Sequence, residues 1–229
     1  MSDPAPNLAV ALVGNPNTGK STLFNALTGL RQRVGNYPGV TVARKSGLCD
    51  LGDGRKVELV DLPGLYSLAA ASPDEQVVTD ALAGKIAGER VPDVIVLSGD
   101  LTQRARRHQF AAAQGFIAAC PSPVLCIPGN HDIPLENLFA RLLHPFRAYH
   151  RAIGPDLAPV IDTPAAIIAG VNTANPYVWK DGHITPAQLD RLARVFAHAG
   201  PRQRVVALHH PPVPPQGEPP SLAGAEATI

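Results

Sequence analysis

Gly14-Asn15-Pro16-Asn17-Thr18-Gly19-Lys20-Ser21 is the stretch on which the reading of this chain turns. It fits G-x-x-x-x-G-K-[ST] and stands where that pattern has a mechanism, between a strand and a helix. Before it, Leu8–Val13 is an unbroken apolar run, which predicts a strand buried on both faces. After it, Lys20–Leu27 reads as a helix that Gly29 ends. At such a junction main-chain N–H groups and the helix N-terminus face phosphate oxygens. Lys20 adds a point charge, and the Ser21 hydroxyl can ligate Mg²⁺.

Working outward, Asp61-Leu62-Pro63-Gly64 follows the apolar strand Val57–Val60. That places a carboxylate at a strand end for the Mg²⁺ shell, and Gly64 where a terminal phosphate can approach closely. Thr41 lies on a Gly/Pro-rich segment, residues 30–41, which reads as irregular and could bring its hydroxyl to the metal. The predicted nucleotide contacts are therefore Gly14 to Ser21, Thr22, Thr41, Asp61 and Gly64, with Ser21, Thr41 and Asp61 on the metal. Val42–Leu51 and Arg55–Val60 flank Gly52-Asp53-Gly54, a hairpin signal. Ser72-Pro73-Asp74-Glu75 predicts a capped helix running to about Gly88.

These residues carry a resemblance. Gly14–Ser21, Asn36-Tyr37-Pro38-Gly39-Val40-Thr41-Val42, Asp61–Gly64 and Ser72–Glu75 together resemble the G domain of bacterial ferrous-iron transport protein B, over about residues 7–84. The resemblance implies GTP or GDP with Mg²⁺, and a role for Asn17 in K⁺-dependent GTP hydrolysis. Leu65 follows Gly64 where Ras-like proteins carry glutamine, which suits the same family. No N-K-x-D motif, which reads guanine in G domains, occurs in the sequence. Guanine and adenine are therefore both left open.

From Val91 the pattern changes. Asp93–Leu97 reads as a strand ending in Gly99-Asp100, followed by a helix over Thr102–Ala119. Val124–Ile127 ends in Gly129-Asn130-His131-Asp132, and Arg204–Leu208 ends in His209-His210. Between them lie an apolar piece, Ile167–Val171, and a helix opened by Thr185-Pro186. Each of these motifs alone could be an ordinary turn. Three strands that all end in hard or borderline metal ligands point to one cluster at the C-terminal edge of a sheet.

This ordered set resembles the calcineurin-like metallophosphoesterases over about residues 91–215. The resemblance implies a two-metal site, with Asp100 bridging the ions, Asn130, His209 and His210 as further ligands, and Mn²⁺, Fe²⁺ or Zn²⁺ as the ions. It also implies His131, oriented by Asp132, as the proton donor to the leaving group. The family's D-x-H and G-H-x-H motifs are not in place. Asp181-Gly182-His183 spells D-x-H but lies in a polar turn. Asp61 stands one helix before the Gly99-Asp100 strand, so it is expected beside Asp100 on an adjacent strand end, as a partial substitute.

Composition bounds the partners. Lys+Arg 20 against Asp+Glu 19 leaves a net charge of +1, and aromatics are 5%, so nucleic acid is not an expected partner. The run Arg104, Arg106, Arg107 and His108 reads as a solvated helix face. Three cysteines without a C-x-x-C pair argue against a disulfide scaffold or a zinc cluster and fit a reducing, cytoplasmic setting. The longest uncharged run is broken by Pro121, Pro123 and Pro128, so no membrane segment is expected.

The expected fold is α/β, a P-loop GTPase-like N-terminal part joined to part of a metallophosphoesterase sandwich. The expected divisions are 1–88, 89–215 and a proline-rich disordered tail, 216–229. Three functional readings stay open. The first is nucleotide and Mg²⁺ binding with weak GTP hydrolysis beside a degenerate phosphoesterase. The second is a working phosphodiesterase acting on cyclic nucleotides or related diesters. The third is a fusion without activity.

Overall fold

A computed structural model of the chain describes residues 8–13, 24–25, 28–29, 32–36, 43–50, 56–61, 73–82, 84–85, 91–213 and 219–225. The elements begin with β1 (Leu8–Val13), β2 (Gln32–Asn36), β3 (Ala43–Asp50), β4 (Lys56–Asp61), α1 (Pro73–Leu82) and β5 (Val94–Ser98). Then come α2 (Arg107–Ala119), β6 (Val124–Ile127), a 3₁₀ turn (Asn130–Asp132), α3 (Leu138–Leu143) and α4 (Arg147–Ala152). The chain finishes with β7 (Val160–Asp162), β8 (Ala166–Gly170), β9 (Gly182–His183), α5 (Pro186–Ala197), β10 (Gln203–Ala207) and β11 (Leu222–Ala223). It divides into two compact units, Met1–Leu97 with Gly115–Val124, and Ser98–Gln114 with Leu125–Ile229.

The larger sheet has the strand order β2-β3-β4-β1-β5-β6. β1 pairs in parallel with both β4 and β5, and Ala9, Val10 and Ala11 are all buried, as its unbroken apolar run requires. β3 and β4 form the expected hairpin, with Cys49 opposite Val57 and Asp50 opposite Lys56. The predicted irregular stretch needs one correction: β2 pairs antiparallel with β3 from Gln32↔Gly47 to Asn36↔Ala43. Its sequence, Gln-Arg-Val-Gly-Asn, has one β-branched residue, so strand formation there follows from the neighbour's backbone and not from local propensity.

α1 starts at Pro73 as expected but ends earlier than Gly88. The Gly84 N–H donates to the Ala81 carbonyl (3.1 Å) and the Lys85 N–H to the Asp80 carbonyl (2.9 Å), with Gly84 at φ 68. That pair of bonds is a Schellman closure, and it needs the left-handed backbone that glycine tolerates. The Lys20–Leu27 helix is described as helical at 24, 25 and 28.

In the second unit β10, β8 and β7 form a three-stranded sheet in that order, and every residue of β8 is buried. α5 packs over it with Leu192 against Ala169, Val171 and Ile184. The helix is capped as its sequence predicts: Thr185 Oγ1 accepts from the Gln188 N–H and Gln188 Oε1 accepts from the Thr185 N–H (2.8 Å).

The proline-rich tail is the other correction. β11 pairs in parallel with β9, and Leu222 and Ala225 are buried in the α5–β8 core. Among the described residues, no helix is long and apolar enough to cross a membrane.

Candidate functional site

The second unit brings three loop ends together. After β5 the chain turns through Gly99 at φ 94 and Asp100 at φ 53. Aspartate is one of the few side chains that tolerate this left-handed backbone. After β6 it turns through Gly129 into the 3₁₀ turn Asn130–Asp132. After β10 it reaches His209 and His210.

The two glycines are there because the loops touch. A Cβ on Gly99 would stand 2.5 Å from His209 Nδ1 and 2.9 Å from the Gly129 Cα. A Cβ on Gly129 would fall onto the Asp100 carboxylate and its backbone N, and 2.9 Å from His209 Cε1.

Asp132 holds the first two loops in register. It is fully buried, and its carboxylate accepts from the N–H groups of Leu101 (3.2 Å), Thr102 (2.8 Å) and Gly129 (2.9 Å) and from the Thr102 hydroxyl (3.0 Å). Burial pushes its pKa up to about 6, opposed by the hydrogen bonds from Gly129 and Thr102. This corrects the expected role: no bond runs from Asp132 to the His131 ring. Instead His131 Nδ1 sits 2.8 Å from the Gln103 carbonyl, which accepts its proton and leaves Nε2 outward. It also explains why α2 starts at Arg107 and not at Thr102: Thr102 is bound to Asp132. Arg104 and Arg106 pair with Glu136 at 2.9 and 3.1 Å, an exposed ion cluster in keeping with a solvated face.

His209, Asn130 and Asp100 converge. His209 Nδ1 lies 2.8 Å from the Ser98 carbonyl, which can only accept, so Nδ1 carries the proton and Nε2 a lone pair. That Nε2 stands 3.1 Å from Asn130 Oδ1 and 3.5 Å from Asp100 Oδ1. The Asn130 amide is fixed by its Nδ2, which donates to the Trp179 carbonyl (3.2 Å). Asp100 Oδ1 is itself held by the His131 N–H at 3.0 Å. An imidazole nitrogen and two side-chain oxygens thus face one another. Among the described residues no group of three or more His, Cys, Asp or Glu could hold a metal, so the set is two such residues completed by an asparagine.

His210 leaves the expected ligand set. Its Nε2 lies 2.8 Å from the Lys180 carbonyl, and its Nδ1 lies 2.8 Å from Thr173 Oγ1. With both nitrogens engaged and the ring packed on Gly182, it is a structural histidine, kept neutral because burial first and the neighbouring His209 second lower its pKa to about 4.

Asp61 is also placed differently. Leu12 of β1 pairs with Asp61 on one side and Val96 on the other, so β1 lies between the Asp61 strand and β5. Two strand spacings, about 9–10 Å, separate Asp61 from Val96. Asp61 therefore belongs beside the end of β1 and is not on a strand adjacent to that of Asp100. Gly14, Asn15, Pro16, Asn17, Thr18, Gly19, Lys20, Ser21, Thr22, Thr41 and Gly64 lie outside the described residues.

Comparison with known proteins agrees with the loop-end motifs. The profile of the calcineurin-like phosphoesterases matches residues 74–227. The chain belongs to that family. Its N-terminal part is similar to a second one: the profile of ferrous iron transport protein B matches residues 8–111. This calcineurin-like phosphoesterase is thus a two-part chain, and the two matches share residues 74–111.

The Fe(2+) transporter FeoB of Leptospira interrogans is 44% identical over 104 residues, 45% of this chain and 14% of the transporter. That of Escherichia coli O157:H7 is 58% identical over 74 residues, 31% of this chain and 9% of the transporter. The chain thus spans about one seventh or less of these relatives. Among solved structures, the G domain of T. maritima FeoB is 35% identical, with a TM-score of 0.40 over 53% of this chain and 70% of that one. The S. thermophilus NFeoB N11A mutant bound to mGDP is 36% identical, with a TM-score of 0.40 over 53% and 43%.

Several residues of the phosphoesterase site were invisible to motif reading. Ser98, Gln103, Trp179 and Lys180 act through main-chain carbonyls, for which side-chain identity carries no signal. Thr102 and Thr173 stand in polar stretches that give no sign of their role, yet both are buried.

Proposed function

We propose that the chain joins a purine-nucleotide-binding part to a phosphoesterase part that holds one divalent cation and hydrolyses phosphodiesters weakly at most. The reading of the second part rests on the convergence of Asp100 Oδ1, Asn130 Oδ1 and His209 Nε2. Two oxygens and an imidazole nitrogen brought to one place suit Mn²⁺, Fe²⁺ or Zn²⁺. The chemistry supplied by such an ion is Lewis-acid polarisation of a phosphoryl oxygen and activation of water. Asp100, Asn130 and His209 would hold it, and His131 would present its Nε2 to a leaving-group oxygen. The single convergent set of Asp100, Asn130 and His209 supports the single-ion reading.

In the first part, Gly14 to Thr22 would cradle GTP or GDP phosphates, with Mg²⁺ on Ser21, Thr41 and Asp61, Gly64 near the terminal phosphate and K⁺ assisted by Asn17. The change of family falls near residues 84–92, giving parts 1–88 and 89–215. The similarity of residues 8–111 to transporter G domains and the place of Asp61 beside β1 support this half.

Two titrations of the full chain test both halves. Chelator-stripped protein should bind one Mn²⁺, with binding lost in Asp100→Ala and in His209→Ala. Fluorescent GDP should bind with Mg²⁺ and be lost in Lys20→Ala. Two Mn²⁺ per chain, with manganese-stimulated bis(p-nitrophenyl) phosphate hydrolysis abolished by Asp100→Ala, would establish the working phosphodiesterase instead. No binding of either ligand would leave the fusion without activity.

A further inference from the structure

A short helix on a folded surface ordinarily turns its apolar stripe inward and its charges outward. α3, Leu-Phe-Ala-Arg-Leu-Leu, does the reverse. Its one cation, Arg141, is 2% exposed. The Arg141 guanidinium donates to the carbonyls of Pro176 (2.7 Å), Pro134 (3.3 Å) and Val178 (2.5 Å), and its Cζ lies 4.7 Å from the centre of the Trp179 ring. Leu138, Phe139, Leu142 and Leu143, spaced i, i+1, i+4 and i+5, are exposed, Phe139 at 81% and Leu143 at 68%. The loop that Arg141 ties to the helix adds Tyr177 and Trp179, 79% and 55% exposed. Single exposed apolar residues are ordinary, but four on one short helix beside two exposed aromatics are not.

Helices α3 and α4 carry charge of one sign: between Asn137 and Pro155 there is no Asp or Glu, while Arg147 and Arg151 are exposed, and beyond Trp179 the exposed Lys180 and Asp181 offset one another. Glu136, which precedes the stretch, is paired with Arg104 and Arg106. Exposed Leu and Phe with aromatic neighbours and a cationic border fit an interfacial membrane-binding element. A second copy of this chain fits less well. A two-fold contact would bring two sets of Arg147 and Arg151 together with no carboxylate in the stretch to neutralise them.

We propose that α3, with Tyr177, Trp179 and the arginines of α4, seats this phosphoesterase on an anionic lipid bilayer. Leu138, Phe139, Leu142 and Leu143 enter the acyl boundary, and Arg147 and Arg151 meet lipid phosphates.

Flotation of the full chain with phosphatidylcholine vesicles, with and without phosphatidylglycerol, tests this. Binding should need phosphatidylglycerol and weaken as salt rises. The emission of Trp179, the only tryptophan in the sequence, should shift to the blue on binding. Arg147→Gln and Arg151→Gln should each weaken binding about fivefold. Phe139→Asp with Leu143→Asp should weaken it about a hundredfold or more. Unchanged circular dichroism and unchanged Mn²⁺ binding in these variants separate loss of docking from loss of fold. No binding to either vesicle, or equal binding to both, would overturn the proposal. So would concentration-dependent dimerisation that Phe139→Asp abolishes, which would assign the surface to a second copy.

Discussion

Protonating His210 should destabilise the second unit, and the structure sets the size of the effect. The ring is buried with both nitrogens engaged, and its pKa falls from 6.5 to about 4. A lowered pKa means that the unfolded chain binds the extra proton first. The stability tied to neutral His210 is complete above about 6.5 and is lost as pH falls toward about 4. Over the whole titration it amounts to about 3 kcal/mol, and between pH 7.5 and 5.0 to about 2 kcal/mol.

Asp132 acts in the opposite direction, since its pKa rises from 3.8 to about 6. Its contribution is full below about 3.8 and is lost as pH rises through about 6. Acidification from pH 7.5 to 5.0 therefore returns about 1 kcal/mol. The intact protein should show a shallow pH dependence because the two partly cancel. His210→Gln removes one of them. In urea titrations followed by Trp179 fluorescence, with chelator present, the variant should gain about 2 kcal/mol on the wild type between pH 7.5 and 5.0. Parallel pH profiles, within about 0.5 kcal/mol, would refute the assignment of His210 as a buried neutral donor and acceptor.

Other outcomes follow from the same geometry. Gly129→Ala should abolish Mn²⁺ binding even if the chain folds, because the added methyl occupies the position of the Asp100 carboxylate; titration of the purified variant checks this. Thr102→Val removes the hydroxyl donor to buried Asp132 and should cost about 1–3 kcal/mol in the same urea experiment. Burial raises the Cys120 thiol to about 11, so iodoacetamide at pH 7.5 should label it slowly in the folded chain and quickly in urea, as mass spectrometry of digests would show.

What the sequence makes legible is what depends on local rules. β1 shows as an apolar run because it is paired on both sides, α5 through its Thr185–Gln188 cap, and the β3–β4 pairing through the Gly52-Asp53-Gly54 signal in the sequence between them. The strand-end motifs point to Asp100, Asn130 and His209 through their ligand residue types, but the expected single sheet edge does not hold, since β5 and β6 belong to the six-stranded sheet and β10 to the three-stranded one.

What stays hidden depends on partners distant in sequence. β2 and β11 are strands by virtue of β3 and β9. The Asp-Gly-His turn is half of such a pair. His210 and Asp132 carry ligand and catalytic residue types, yet their roles are fixed by Thr173, Lys180, Thr102 and Gly129, which no spacing rule connects to them. α3 escapes periodicity reading because its apolar face points the wrong way.

The Asp132 carboxylate makes the distance between residues 100 and 130 a property of the peptide skeleton. Four donors from both turns meet on one side chain, so the frame does not depend on the Asn130 side chain. An engineer could exchange the oxygen donor at position 130, keep the scaffold, and retune which ion the pincer selects. The same exchange at Gly99 or Gly129 would leave no pincer to tune.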